Sequence, residues 1–141
     1  MKINKLLTFA SVLMAFAVSA KAQTTPDSRH FYEITDVKVP YEKLEQFFND
    51  YEKYVTPIVK KNQYVLSEKV FTHVAGPDWT VEIIDEYKNW ADMGEAYKTF
   101  DELMAADYPD KSKRDEIESI FDVYFNGHAD AIVVEVPRLT K

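Results

Sequence analysis

QYVLSEKVFTHVAGPDWTVEIIDEYKNWADMGEAYKTFDELM, residues 63–104, reads as strand, turn, strand and helix. Over residues 63–74, Tyr64, Leu66, Val70 and Val74 fall on one side, with Val65 and Phe71 among polar residues on the other. Ala75-Gly76-Pro77-Asp78 has turn chemistry. Over residues 79–87, Trp79, Val81, Ile83 and Tyr87 share one parity, and Thr80, Glu82, Ile84 and Glu86 share the other. Two alternating runs around a Gly-Pro-Asp turn predict a β-hairpin. Asn89 then caps a helix with Asp92 in its first turn. That helix runs to about Ala106 and carries Trp90, Met93, Tyr97, Phe100 and Met104 on one side.

Upstream, residues 30–39 are rich in strand formers (Phe31, Tyr32, Ile34, Thr35, Val37, Val39) and apolar on both parities, which suits a central strand. Pro40 opens a helix predicted over residues 40–62. Leu44, Phe47, Phe48, Tyr51, Val55, Ile58 and Val59 form its single apolar stripe. Pro57 predicts a kink near residues 53–57, or a division into two shorter helices. Downstream, a helix starting at Lys111 or Ser112 packs Ile117, Ile120, Phe121 and Tyr124, and Asn126-Gly127 stops it. Residues 129–136 form a last strand, ended by Pro137. The order β-α-β-β-α-(α)-β predicts an α+β, ferredoxin-like antiparallel sheet with strand order 4-1-3-2 and helices on one face. Residues 30–137 make this domain and 138–141 a tail.

The beginning of the chain has targeting chemistry. Lys2 and Lys5 precede an apolar run of about a dozen residues, too short to span a bilayer, and Ala20-Lys21-Ala22 is a small-x-small cleavage signal. Residues 1–22 are therefore expected to be a signal peptide and residues 23–29 a polar leader. The protein is expected to be exported, periplasmic or extracellular, with no membrane span after cleavage. Removing three lysines and no acid takes the net charge from −7 to −10. Such a charge repels nucleic acid and anionic lipid. The absence of cysteine excludes thiolate metal sites, iron–sulfur clusters and a cysteine nucleophile.

Two stretches, residues 34–47 (ITDVKVPYEKLEQF) and residues 83–93 (IIDEYKNWADM), resemble the dimeric α/β-barrel superfamily, which holds antibiotic-biosynthesis-type monooxygenases, NIPSNAP proteins and stress-responsive barrel proteins. The resemblance implies a homodimer whose two sheets face each other, with a pocket in each subunit. The haem-degrading branch uses an Asn on the first strand, a Trp early in the second helix and a His about ten residues on. Trp90 matches the Trp, but strand 1 has no Asn and Phe100 stands where the His would be. Haem degradation is therefore not carried over.

Glu33 and Glu82 lie on the two predicted central strands. In an enclosed pocket, desolvation would raise a carboxyl pKa toward the range a general base needs. With His73 they are the catalytic candidates, against the plainer reading of a wet sheet face. Tyr32, Ile34, Trp79, Trp90 and Tyr97 are the candidate pocket wall, or else ordinary core. His128 and Asp130, two residues apart, are a weak candidate metal pair; a helix-end hydrogen bond is the plainer reading. No HExxH spacing, serine-nucleophile motif or Gly-rich phosphate loop occurs. The expectation is an exported small-molecule-binding or structural protein with an apolar pocket. Its partners would be a second copy of itself and a small apolar or aromatic ligand, with no cofactor. The alternatives are a cofactor-independent oxygenase or isomerase and an interaction module with a filled barrel.

Overall fold

A computed structural model describes residues 29–76 and 78–140. The expected signal peptide, most of the polar leader, and Pro77 in the hairpin turn lie outside the described residues. Four strands, β1 (Phe31–Val37), β2 (Val65–Thr72), β3 (Val81–Tyr87) and β4 (Ala129–Val134), form one sheet in the order β2-β3-β1-β4. Every neighbouring pair is antiparallel. The helices are α1 (Leu44–Tyr54), α2 (Thr56–Lys61), α3 (Trp90–Asp107) and α4 (Lys111–Phe125). This is the ferredoxin-like arrangement predicted above, with β1 and β3 central.

The predicted first helix is divided. A 3₁₀ turn (Tyr41–Lys43) leads into α1, and α2 starts after Val55. Pro57 lies in the first turn of α2, where its missing N–H breaks no helical hydrogen bond. The other caps follow side-chain chemistry. Asn89 accepts from the Asp92 N–H at 3.0 Å, and Asp110 accepts from the Ser112 N–H at 2.8 Å. Gly127, at φ +84°, turns the chain out of α4 in a conformation that disfavours a side chain.

Register divides the sheet into two faces. Phe31 opposes Tyr87, Glu33 opposes Asp85, Thr35 opposes Ile83, and Val37 opposes Val81. Val37, Val81 and Ile83 are buried in one cluster with Phe47 and Tyr51 of α1 and Tyr124 of α4. The rings of Phe48, Tyr51, Phe121, Tyr124 and Phe125 surround Phe47, with centroids 5.3–6.5 Å away. A smaller cluster joins Tyr87 to Met93 and Ala96 of α3. The alternate face presents Tyr32 opposite Glu86, Ile34 opposite Ile84, and Asp36 opposite Glu82. Its centre is apolar, with a polar group at each end.

Thr80 joins β1 to β3 at one end of the core. Its Oγ1 accepts from the Val39 N–H at 2.6 Å and lies 2.7 Å from the Val39 carbonyl, all of it buried. Thr80→Val keeps the shape but leaves the Val39 N–H without its side-chain acceptor. The expected cost is about 2 kcal/mol, read from urea unfolding. A loss below about 0.5 kcal/mol would show that the backbone re-pairs elsewhere.

Candidate functional site

Three acidic residues lie in a row across the helix-facing side of the sheet. Glu33 of β1 and Glu68 of β2 each sit opposite Asp85 of β3. They line a cavity of about 850 Å³ between the sheet and the helices, within the size range of small-molecule sites. Val55, Val59, Ile83, Ala96, Phe100 and Met104 supply apolar wall, and Lys111 and Arg114 of α4 also line it.

Tyrosines hold two of the three carboxylates. Tyr51 donates to Glu68 Oε2 at 2.6 Å. Tyr87 donates to Glu33 Oε2 at 3.1 Å, and Tyr97 donates to Glu33 Oε1. Burial, reinforced by these carboxylates, pushes all three phenols above their ordinary range. They therefore remain O–H donors at neutral pH. Asp85 differs: its Oδ1 is buried and has no hydrogen-bond partner. Desolvation, followed by the charges of Glu68 and Glu33, raises its pKa to about 7. Burial likewise raises Glu68, partly offset by the Tyr51 hydroxyl.

The structure brings together some of the sequence candidates and separates others. Glu33 and Tyr97 line the cavity, while Glu82 opposes Asp36 on the other sheet face. Glu33 and Glu82 therefore point to opposite sides of the sheet and do not share a site. Tyr32 and Ile34 also belong to the face away from the cavity. Trp90 is 59 % exposed and meets Phe31 in a T-shaped contact, and Trp79 stacks under Lys38 Nζ at 4.8 Å. Neither tryptophan is among the cavity residues. His73 Nε2 is 4.0 Å from Asp36 and 3.9 Å from Glu82, outside the cavity. His128 and Asp130 do line the cavity, 3.0 Å apart. His128 Nδ1 lies 2.5 Å from the Phe125 carbonyl, and Thr35 donates to Asp130, so the pair is tied into the α4 end and the sheet edge. The wall is less purely apolar than expected, because its floor carries carboxylates.

Asp85 and Glu68 were absent from the sequence candidates. The available signal was an acid on the buried parity of β3, between Ile83 and Tyr87.

No family model and no curated protein matches the sequence. Solved structures do match. An uncharacterized NIPSNAP domain protein from Burkholderia xenovorans is 14% identical, with a TM-score of 0.57 over 79% of this chain and 99% of that one. A NIPSNAP family protein of unknown function from Agrobacterium tumefaciens is 18% identical, with a TM-score of 0.57 over 77% and 90%. A dimeric ferredoxin-like protein from an uncultured marine organism is 8% identical, with a TM-score of 0.57 over 82% and 94%. These likenesses establish the ferredoxin-like fold, and the NIPSNAP neighbours agree with the resemblance read from the sequence.

Proposed function

We propose that this chain binds a small organic molecule between its sheet and helices and moves a proton on it, with Asp85 as the base. The observation that carries the reading is the Asp85 carboxyl on the floor of a ligand-sized cavity, its Oδ1 atom buried and without a hydrogen-bond partner. A carboxyl titrating near 7 is divided between acid and base at neutral pH, which suits general acid–base work. Taking a proton from a carbon beside a carbon–carbon double bond and returning it to the far carbon of that double bond, as the π bond moves over, is an isomerisation. It balances without an oxidant or another co-reactant. The apolar wall would hold the carbon skeleton. The carboxylate floor favours a neutral or cationic ligand that offers hydrogen-bond donors, and it opposes an anion.

Carbon-13 NMR of the aspartate carboxyls is expected to show Asp85 titrating near pH 7. A midpoint near 4, the ordinary aspartate value, would remove the base. Mass spectrometry of natively purified protein is expected to find a co-purifying small molecule; a cavity that never carries or takes up one supports the filled-module reading instead.

We also propose that the protein is exported and pairs with a second copy of itself. Support for export is the basic start, apolar run and Ala20-Lys21-Ala22. N-terminal sequencing of secreted protein is expected to begin at Gln23, and a start at Met1 refutes cleavage. Support for the dimer is the apolar centre of the outer sheet face. The marine-organism protein of the same fold is itself described as dimeric. No helix among the described residues is long and apolar enough to cross a membrane.

A further inference from the structure

We propose that Asp36, His73 and Glu82 bind a divalent transition-metal ion of the zinc class, on the sheet face opposite the cavity. Among the described residues, this is the group whose potential ligand atoms come together, all within 4.8 Å of one another. The three arrive by separate routes. Asp36 is the next-to-last residue of β1 and Glu82 the second of β3, directly opposite in register. His73 follows β2, and its backbone N–H donates to the Thr80 carbonyl at 3.0 Å, which fixes where the ring hangs. All three side chains are partly shielded, 22–31 % exposed.

A cation resolves two costs that the cluster otherwise carries. Carboxylates directly opposite on neighbouring strands repel. The Asp36 Oδ1 atom is also buried with no hydrogen-bond partner, an arrangement that costs stability unless something pairs with it. A protonated His73 would soften the repulsion. At 4.0 and 3.9 Å, however, its Nε2 is too far to hydrogen-bond either carboxylate, and the Asp36 oxygen stays unpaired. Metal bonds of about 2.0–2.2 Å in a tetrahedral site place ligand atoms about 3.4 Å apart. Closing from the present separations needs side-chain movements of under about 1 Å. One imidazole nitrogen and two carboxylate oxygens suit Zn²⁺ or Mn²⁺ better than a soft ion, and zinc should bind more tightly than manganese. Three protein ligands leave a coordination position open to water or to another molecule. The site is separate from the cavity chemistry and stands or falls independently of it.

Calorimetric titration of the metal-free protein with zinc chloride tests the assignment. One ion per chain is expected. His73→Ala and Glu82→Gln should each weaken binding by at least about tenfold, while His128→Ala should leave it unchanged. In the unmodified protein, proton NMR should show zinc shifting the His73 ring signals ahead of those of His30 and His128; this readout holds even where a variant fails to fold. No stoichiometric uptake overturns the site. Undiminished uptake in both variants, or a zinc shift centred on His128, also overturns it and assigns the ion to other surface groups.

Discussion

Asp85→Asn is expected to make the protein more stable at alkaline pH while abolishing the proton transfer proposed for the cavity. The sign follows from the direction of the shift. Folding raises the Asp85 pKa from 3.8 to about 7. The contribution of Asp85 to stability is therefore fullest below about pH 4 and is lost as pH rises through about 7. At pH 8.5 the folded protein holds a carboxylate that it prefers to keep protonated. The difference in pKa corresponds to at most about 4 kcal/mol. Relaxation and the shared titration of Glu68 and Glu33 bring the expected gain to about 2 kcal/mol. Asparagine removes the charge and supplies an amide N–H₂ to the neighbouring carboxylates. Glu68, also raised by burial, contributes a fall in the same direction. Glu86 acts in the opposite sense: hydrogen bonds from Ser67 and His30 lower its pKa, so its contribution is lost as pH falls. Because both proteins keep Glu86, it cancels in the comparison. Urea unfolding at pH 8.5 and pH 4.5 separates the cases. A gain at pH 8.5 that shrinks to about a quarter of its size at pH 4.5 is expected. A loss at pH 8.5, or an equal change at both, would mean that Asp85 is a structural carboxylate paired when ionised.

That prediction rests on a residue the sequence displayed without announcing. The alternation of β3 is plain, with Val81, Ile83 and Tyr87 buried. Asp85 belongs to the same parity, and an acid in such a stripe is either exposed or functional. Deciding which requires knowing the face on which the helices lie. β1 and β3 are apolar on both parities, so periodicity alone does not choose. The topology, the cap at Asn89 and the stop at Gly127 depend on local chemistry and were legible. The pairing of β2 was not. Its register shifts between Val65 and Ser67, which leaves Leu66 as the extra residue and 49 % exposed. The shift puts Glu68 opposite Asp85, whereas uninterrupted alternation places Leu66, Glu68 and Val70 on one side without indicating which side. The cavity itself is assembled from four strands and four helices, separations that no local pattern encodes. Trp90 failed as a wall residue for a related reason. It is the first residue of α3, and the helix directs Met93 and Ala96, not Trp90, into the core.

Ile84→Lys is expected to turn a dimer into a folded monomer. Ile84 sits at the middle of the outer face, opposite Ile34 on β1 and Lys69 on β2. Around it the face carries Tyr32, Ala131 and Val133, which share register positions, and Phe71, which is 45 % exposed. Polar clusters bound this patch: Asp36, His73 and Glu82 at one end, and His30, Ser67 and Glu86 at the other. An apolar centre with a polar margin is how protein interfaces are commonly built. At roughly 25 cal/mol per Å² of apolar surface, pairing two such faces offsets the entropy lost on association. A lysine from each copy would bring two charges into the dry centre with no acid opposite. The expected penalty weakens dimerisation by more than about 100-fold. Folding should survive, because the Ile84 side chain faces away from the cluster of Phe47, Val81 and Ile83 that holds the helices. Light scattering at micromolar concentration, with circular dichroism on the same samples, reads both properties. A wild-type monomer would show that this face is left to water, and a dimeric Ile84→Lys variant would place the contact on another surface, such as the exposed residues of β4 and the chain after it.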